Sequence, residues 1–158
     1  MDPIIHPELG SITPDAHSQE WRTEPLKMGA FGYTARILIW PGRRKPSDEE
    51  IAAAVKIHQA SPEYRTEIAG HMLKAYQESI RSEYLPIVDN PRYKNPPKAS
   101  DLPEIHEPNG IWNLITGMNP VVIEGENLNL SFITIFDREH EFVVRFENNE
   151  LHEVMMDG

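Results

Sequence analysis

Leu128–Val154 reads LNLSFITIFDREHEFVVRFENNELHEV, and the fold of the whole chain turns on how this stretch pairs with itself. It holds three apolar segments, Leu128–Phe136, Phe142–Phe146 and Leu151–Met155, joined by the polar links Asp137–Glu141 and Asn148–Asn149. Each segment has strand length and is rich in Ile, Val and Phe. The spacing predicts a three-stranded antiparallel meander in the middle of a sheet. Asn tolerates positive φ, so Asn148-Asn149 predicts a two-residue turn. That turn would pair Glu147 with Glu150, Arg145 with His152 and Val143 with Val154. Phe142, Val144, Phe146, Leu151 and Met155 would then face the core.

Working outward, Pro120–Glu124 predicts the strand before the meander and Gly125–Asn127 the turn between them. Ile111–Ile115 reads as one or two helical turns, with Trp112, Leu114 and Ile115 closing the end of the core. Leu85–Gly110 carries Pro86, Pro91, Pro96, Pro97, Pro103 and Pro108. Proline at that density forbids helix and central strand, so residues 86–110 are expected to form a long loop, either functional or covering a sheet edge. Pro46–Glu50 is the clearest local signal: Ser47 and Glu50 have capping-box spacing, and the acidic first turn suits the helix dipole. Ile51, Ala54, Val55 and His58 would share the buried face of this helix, ending near Ala60. Ser61-Pro62 restarts a second helix with Tyr64, Ile68, Met72 or Leu73, Tyr76 and Ile80 along one stripe. Residues 1–40 read as three strands: Leu9–Thr13, one around Trp21, and Tyr33–Trp40. The expected fold is a single α+β domain over residues 1–158, a mostly antiparallel sheet of six or seven strands with an inserted two-helix hairpin on one face.

Composition narrows the function. The 158 residues carry a net charge of −10, which argues against nucleic acid as a ligand and permits a protein partner with a basic surface. With no cysteine, disulfides and thiolate chemistry are excluded. No cationic apolar leader opens MDPIIHPELG and no stretch approaches membrane-helix length, so cytoplasmic residence is the default expectation.

The one dense polar cluster is Asp137-Arg138-Glu139-His140-Glu141. An acid beside a histidine can orient an imidazole or supply metal ligands. On an extended chain, however, neighbours point to opposite sides, so Glu139, His140 and Glu141 cannot all converge on one ion. No HExxH, GxSxG or glycine-rich phosphate loop occurs, so the residues suggest no cofactor and no metal. Tyr84, Arg92, Tyr93, Lys94 and Lys98 give the proline-rich loop an aromatic and basic character. His58 and His71 are expected to be hydrogen-bonded helix histidines, and the three tryptophans core or rim aromatics.

The segments LGSITPD, EWRTE, FGYTARILIW, PSDEE, IWNLITGMNPVVIEG and ITIFDREHEFVVRFENNELHEV together resemble an uncharacterised bacterial family of small α+β proteins. Its mark is an aromatic-Asp-x-Glu-His element followed by a strand and a polar turn. Phe136, Asp137, Glu139 and His140 match it, and Glu141 stands where a glycine commonly follows the histidine. Some similar proteins are regarded as candidate immunity proteins of polymorphic toxin systems. The resemblance therefore implies a non-catalytic binding protein that covers a cognate toxin, with Asp137, Glu139, His140 and Glu141 as contacts and Arg92, Tyr93 and Lys94 as a second set. One alternative is a small metal-dependent or acid/base hydrolase built on Asp137, Glu139 and His140. Another is a structural domain forming a homodimer through Leu38 and Trp40.

Overall fold

The structure, a computed structural model, describes residues 1–42 and 44–157. The meander is present. Strand β9 (Asn127–Thr134), β10 (Glu141–Glu147) and β11 (Glu150–Asp157) pair antiparallel in sequence order. Before them run β1 (Ile4–His6), β2 (Gly10–Pro14), β3 (Trp21–Thr23), β4 (Leu26–Met28), β5 (Tyr33–Ala35), β6 (Ile37–Ile39), β7 (Ile115–Met118) and β8 (Val121–Glu124). Among the described residues the main sheet has nine strands rather than six or seven, in the order β1-β2-β3-β6-β8-β9-β10-β11, with β7 pairing beside β9. It is mostly antiparallel, but β6 and β8 run parallel. The meander thus forms one end of the sheet, not its middle.

Tyr33–Trp40 is not one strand. It breaks at Arg36, and β5 turns away to pair with β4 in a separate two-stranded sheet. Arg36 donates to the Thr23 carbonyl at 3.1 Å, and the Ile37 amide donates to the Thr23 hydroxyl at 2.9 Å. The side chain of a buried threonine therefore replaces a ladder bond where the chain changes sheets.

The Asn148-Asn149 turn has φ of 53° and 65°, the doubly left-handed geometry that matches strand twist. Glu147 pairs with Glu150 and Phe146 with Leu151, as the turn dictates. The register then slips: Arg145 faces Glu153, not His152, and Val144 faces Val154. His152 is the extra residue of a β-bulge. Because side chains alternate, that one residue reverses the expected faces beyond it. Val154 and Met156, not Met155, pack on the core, while Leu151 at the hairpin tip stays 43% exposed.

Helix α1 spans Asp48–His58 with the capping box formed: Glu50 N–H donates to the Ser47 hydroxyl at 3.1 Å, and Ser47 N–H to the Glu50 carboxylate at 2.9 Å. Its buried residues are Glu50, Ala54 and Ile57; of the expected stripe Ala54 is buried and Ile51 and Val55 pack half-buried on the core, while Glu50 and Ile57 lie outside that expectation. Glu50 is the unexpected buried charge. At 1% exposure its carboxylate also takes Arg44 at 2.7 Å and the Gly125 amide at 3.0 Å. Burial alone would raise its pKa; these hydrogen bonds lower it on balance. The carboxylate fastens the helix start to the β8–β9 turn.

Helix α2 (Pro62–Ala75) continues through a π-turn, Tyr76–Ile80, into α3 (Arg81–Tyr84). Ile68, Met72, Tyr76 and Ile80 are buried as expected. A stripe spaced strictly by four drifts by about 40° per step around an α-helix. The wider π-turn takes back part of that drift, so Tyr84 still packs on the core at the end of the stripe. Helix α1 packs against β4 and β8, and α2 against β10, β11 and the 3-10 turns of Pro108–Leu114. Both helices and the sheet contribute to one apolar cluster, so they cover the same face. No helix among the described residues is long and apolar enough to cross a membrane.

Candidate functional site

The β9–β10 connection is built on Thr134 and Asp137. The Thr134 hydroxyl donates to the Asp137 carbonyl at 3.0 Å and accepts the Asp137 amide at 3.1 Å. The Asp137 carboxylate then turns back on its own loop: Oδ1 accepts the amides of Glu139 (3.0 Å) and His140 (3.1 Å). This is the short-range bonding that makes Asp a turn residue. Oδ2 meets two further groups, the Tyr84 hydroxyl at 2.5 Å and His140 Nδ1 at 2.6 Å. Phe136, fully buried, stacks edge-on against Tyr84 with ring centroids 5.0 Å apart.

Burial opposes ionisation of Asp137, but the bonds from Tyr84, from the two amides and from His140 outweigh it and hold its pKa below the usual carboxylate value. Tyr84 is driven the other way, far above the ordinary phenol, by burial and by the Asp137 carboxylate it serves. Asp137 is therefore an acceptor of charge-assisted bonds and Tyr84 a fixed donor.

Across from this turn lies the proline-rich loop. It is not loose. Tyr76 donates to the Pro103 carbonyl (2.8 Å), Gln77 to Ile105 (2.7 Å) and Arg81 to Leu102 (2.9 Å). Leu102 is buried, and the Asp89 amide closes onto the Pro97 carbonyl at 3.0 Å. The segment contains short 3-10 turns but no α-helix or strand, as its prolines require. The face of α2–α3 thus seats the loop, and residues 93–98 form one wall of a cleft of about 760 Å³ whose opposite wall is residues 135–140.

The two segments singled out from sequence therefore meet. Asp137, Glu139 and His140 line one wall, Tyr93 and Lys94 the other. Tyr93 is 49% exposed and free to contact a ligand. Two expected contacts stand apart. Arg92 is exposed, with its amide on the Asn90 side chain. Glu141 sits on β10 opposite Asp157 and accepts from Asn119 at 2.9 Å. Tyr84 and Lys98, marked in sequence only as part of the loop's aromatic and basic character, also line the cleft; sequence reasoning missed that Tyr84 joins the Asp137 cluster, and missed Glu83 and Asp101 altogether. Tyr84 and Asp137 are 53 residues apart, and only the tertiary fold joins them. Among the described residues no three His, Asp or Glu side chains are grouped as metal ligands.

The other candidates have partners of their own. His58 Nδ1 bonds the Lys27 carbonyl at 2.7 Å, as expected; His71 makes no hydrogen bond among the described residues and instead lies edge-on to Phe146 with centroids 6.2 Å apart, Glu67 standing 4.0 Å away. Trp21 and Trp112 are core residues. Trp40 is 46% exposed but donates to Glu20 at 3.1 Å, and Leu38 beside it is half-buried.

Searches of the curated proteins and of the solved structures returned no significant match. A family profile described as a domain of unknown function, DUF6985, matches residues 8–157. The chain belongs to the DUF6985 family.

Proposed function

We propose that this is a non-catalytic binding protein that recognises a protein partner at the cleft between residues 93–98 and 135–140. One observation carries the reading: two segments distant in sequence form the facing walls of one open cleft, and the polar groups at its base are spent on holding its shape. Asp137 uses both oxygens to lock its own turn and to tie it to Tyr84. Such a wall is rigid before anything binds, which lowers the ordering cost of association. The exposed Tyr93 is the anchor type that dominates interface energetics. Lys94 and Lys98 on one wall and Glu139 on the other give it charges of both signs.

The finer reading is an immunity protein that neutralises a toxin, the role suggested by the family resemblance of the Phe136–His140 element. A net charge of −10 would steer it toward a basic toxin surface. The test is co-purification with the product of the adjacent gene, followed by Tyr93→Ala and by Glu139→Lys. Capture that survives both substitutions unchanged refutes the role of the cleft. Normal growth after deletion of the gene, with an intact toxin gene beside it, refutes the immunity role.

A second reading has one observation in its favour. Asp137 holds His140 through Nδ1 at 2.6 Å, the arrangement of an oriented general base. Against it, the cleft wall carries no serine or threonine hydroxyl among its lining residues, and the half-buried phenol of Tyr84, the one bonded to Asp137, is kept protonated by its environment. Hydrolysis of ester or phosphoester substrates that is abolished by His140→Gln would establish this second reading over the first.

A further inference from the structure

A second cleft, of about 740 Å³, lies at the opposite ends of β9 and β10. It is bounded by α1, the start of α2, the β8–β9 turn at Gly125–Asn127 and the β10–β11 turn at Asn149. Strand β9 runs from this cleft at Asn127 to the first one near Ile135. At ~3.3 Å per residue the two are separated by about 25 Å, so they are distinct sites.

The floor is apolar. Ala53, Ala60, Tyr64, Leu128 and Phe146 lie in it, and all five pack on the core beneath. The depression exists because Ala53 and Ala60 are small where larger side chains would fill it. Tyr64 lies half-buried here, its pKa pushed up to about 12 first by burial and then by Glu67. No hydrogen bond to its hydroxyl is present among the described residues, so this phenol is a polar handle within an apolar floor.

The rim is acidic. Glu49, Glu67 and Glu126 stand around the opening against a single cation, Lys56. Glu49 and Glu126 are exposed and make no ion pair among the described residues, and Glu67 has only His71 at 4.0 Å. Lys56 likewise makes none. Buried carboxylates in this fold, by contrast, are compensated, as Glu50 is by Arg44. An apolar floor inside an uncompensated anionic rim is complementary to an apolar anchor flanked by cations. No unpaired strand edge lines this cleft; its longest wall is α1, which favours helix-in-groove docking over strand addition.

We propose that the cleft between α1, the start of α2 and the two turns at Gly125–Asn127 and Asn149 is a docking site for a basic amphipathic helix of a protein partner. The anchor would be a Leu- or Ile-sized side chain on Ala53, Ala60 and Leu128, and its Lys or Arg neighbours would pair with Glu49, Glu67 and Glu126. This holds whether or not the first cleft binds anything.

The test uses the full chain and three synthetic peptides: an amphipathic Leu/Lys helix, its Leu/Glu counterpart, and a scrambled Leu/Lys sequence without an apolar face. Binding is followed by amide chemical shifts. The expected result is saturable binding of the first peptide alone, with the largest shifts at Ala53, Ala60, Gly125 and Leu128. Ala60→Trp, which fills the floor, and the exposed pair Glu49→Lys with Glu126→Lys should each weaken it by about tenfold or more. Equal binding of the scrambled peptide, shifts centred on Tyr93 and His140, or unchanged affinity in both variants with unchanged circular dichroism would overturn the proposal. Concentration-dependent self-association that produces the same shifts without peptide would overturn it in favour of a second copy of this chain.

Discussion

Replacing Asp137 with alanine tests the construction of the first cleft directly. The substitution removes four hydrogen bonds: from Tyr84 (2.5 Å), from the Glu139 and His140 amides (3.0 and 3.1 Å), and with His140 Nδ1 (2.6 Å). The amides and the imidazole are exposed enough for water to replace their bonds, so each counts for at most about 0.5–1 kcal/mol. The Tyr84 bond is part-buried and charge-assisted, and it accounts for about 1.5–2 kcal/mol. The sum, discounted for shared geometry, is about 3 kcal/mol, or a fall in Tm of about 6–12 °C for a chain of this size. Urea unfolding monitored by circular dichroism measures it, with m-values compared to confirm that the unfolded states match. The pH dependence supplies a sign. Because the folded-state pKa of Asp137 lies below its ordinary value, its ionised form contributes stability that is fully present above the ordinary carboxylate pKa. That contribution is lost as pH falls through the lower folded value. The gap between wild type and variant should therefore be largest near about pH 7 and shrink below about pH 4. A gap under about 1 kcal/mol at neutral pH, or one that stays constant into acid, refutes the reasoning.

Three further outcomes are expected. Glu50→Ala loses the three bonds its carboxylate accepts, from the Ser47 amide, Arg44 and the Gly125 amide, and should cost about 3 kcal/mol in denaturant unfolding, while Glu49→Ala on the exposed side of the same turn should cost under about 0.5. Asn149→Val places a β-branched residue at a φ of 65° and should destabilise by about 1–2 kcal/mol in the same assay. Deleting His152, the extra residue of the bulge, leaves every other β10–β11 pair in place and should change stability by less than about 1 kcal/mol; deleting Met155 instead forces Met156 off the core and should cost about 2 kcal/mol or more.

Features whose cause is local were legible from the sequence. The capping box at Ser47 and Glu50, the stripe from Ile68 to Ile80, the Asn148-Asn149 turn and the three meander segments all follow from residues within a few positions of one another. What escaped was set by distant partners. The bulge at His152 depends on which face of β11 meets the core, and the burial of Glu50 on a bond to Gly125 across 75 residues. The three-residue strands β1 and β4 are too short to show a period, and of β7, Ile115–Met118, the first residue reads in sequence as the end of a helical turn and the rest carries no strand pattern. Of the first cleft, both walls were marked, by the cluster at 137–141 and by Tyr93 and Lys94. That they face each other was not, because α3 and Tyr84 mediate the contact. The second cleft had no sequence signal: alanines on a helix face look like ordinary helix formers until the structure shows nothing above them.

The parallel pairing of β6 with β8 has a consequence for biogenesis. Residues 40–120 intervene between its two strands, so Ile37–Ile39 leaves the ribosome long before its partner Val121–Ile123 is made. Until then the amino-terminal ribbon carries an open, aliphatic border that could recruit the wrong neighbour. Only the late arrival of Val121–Ile123 closes that seam, which makes this chain one whose two ends must wait for each other.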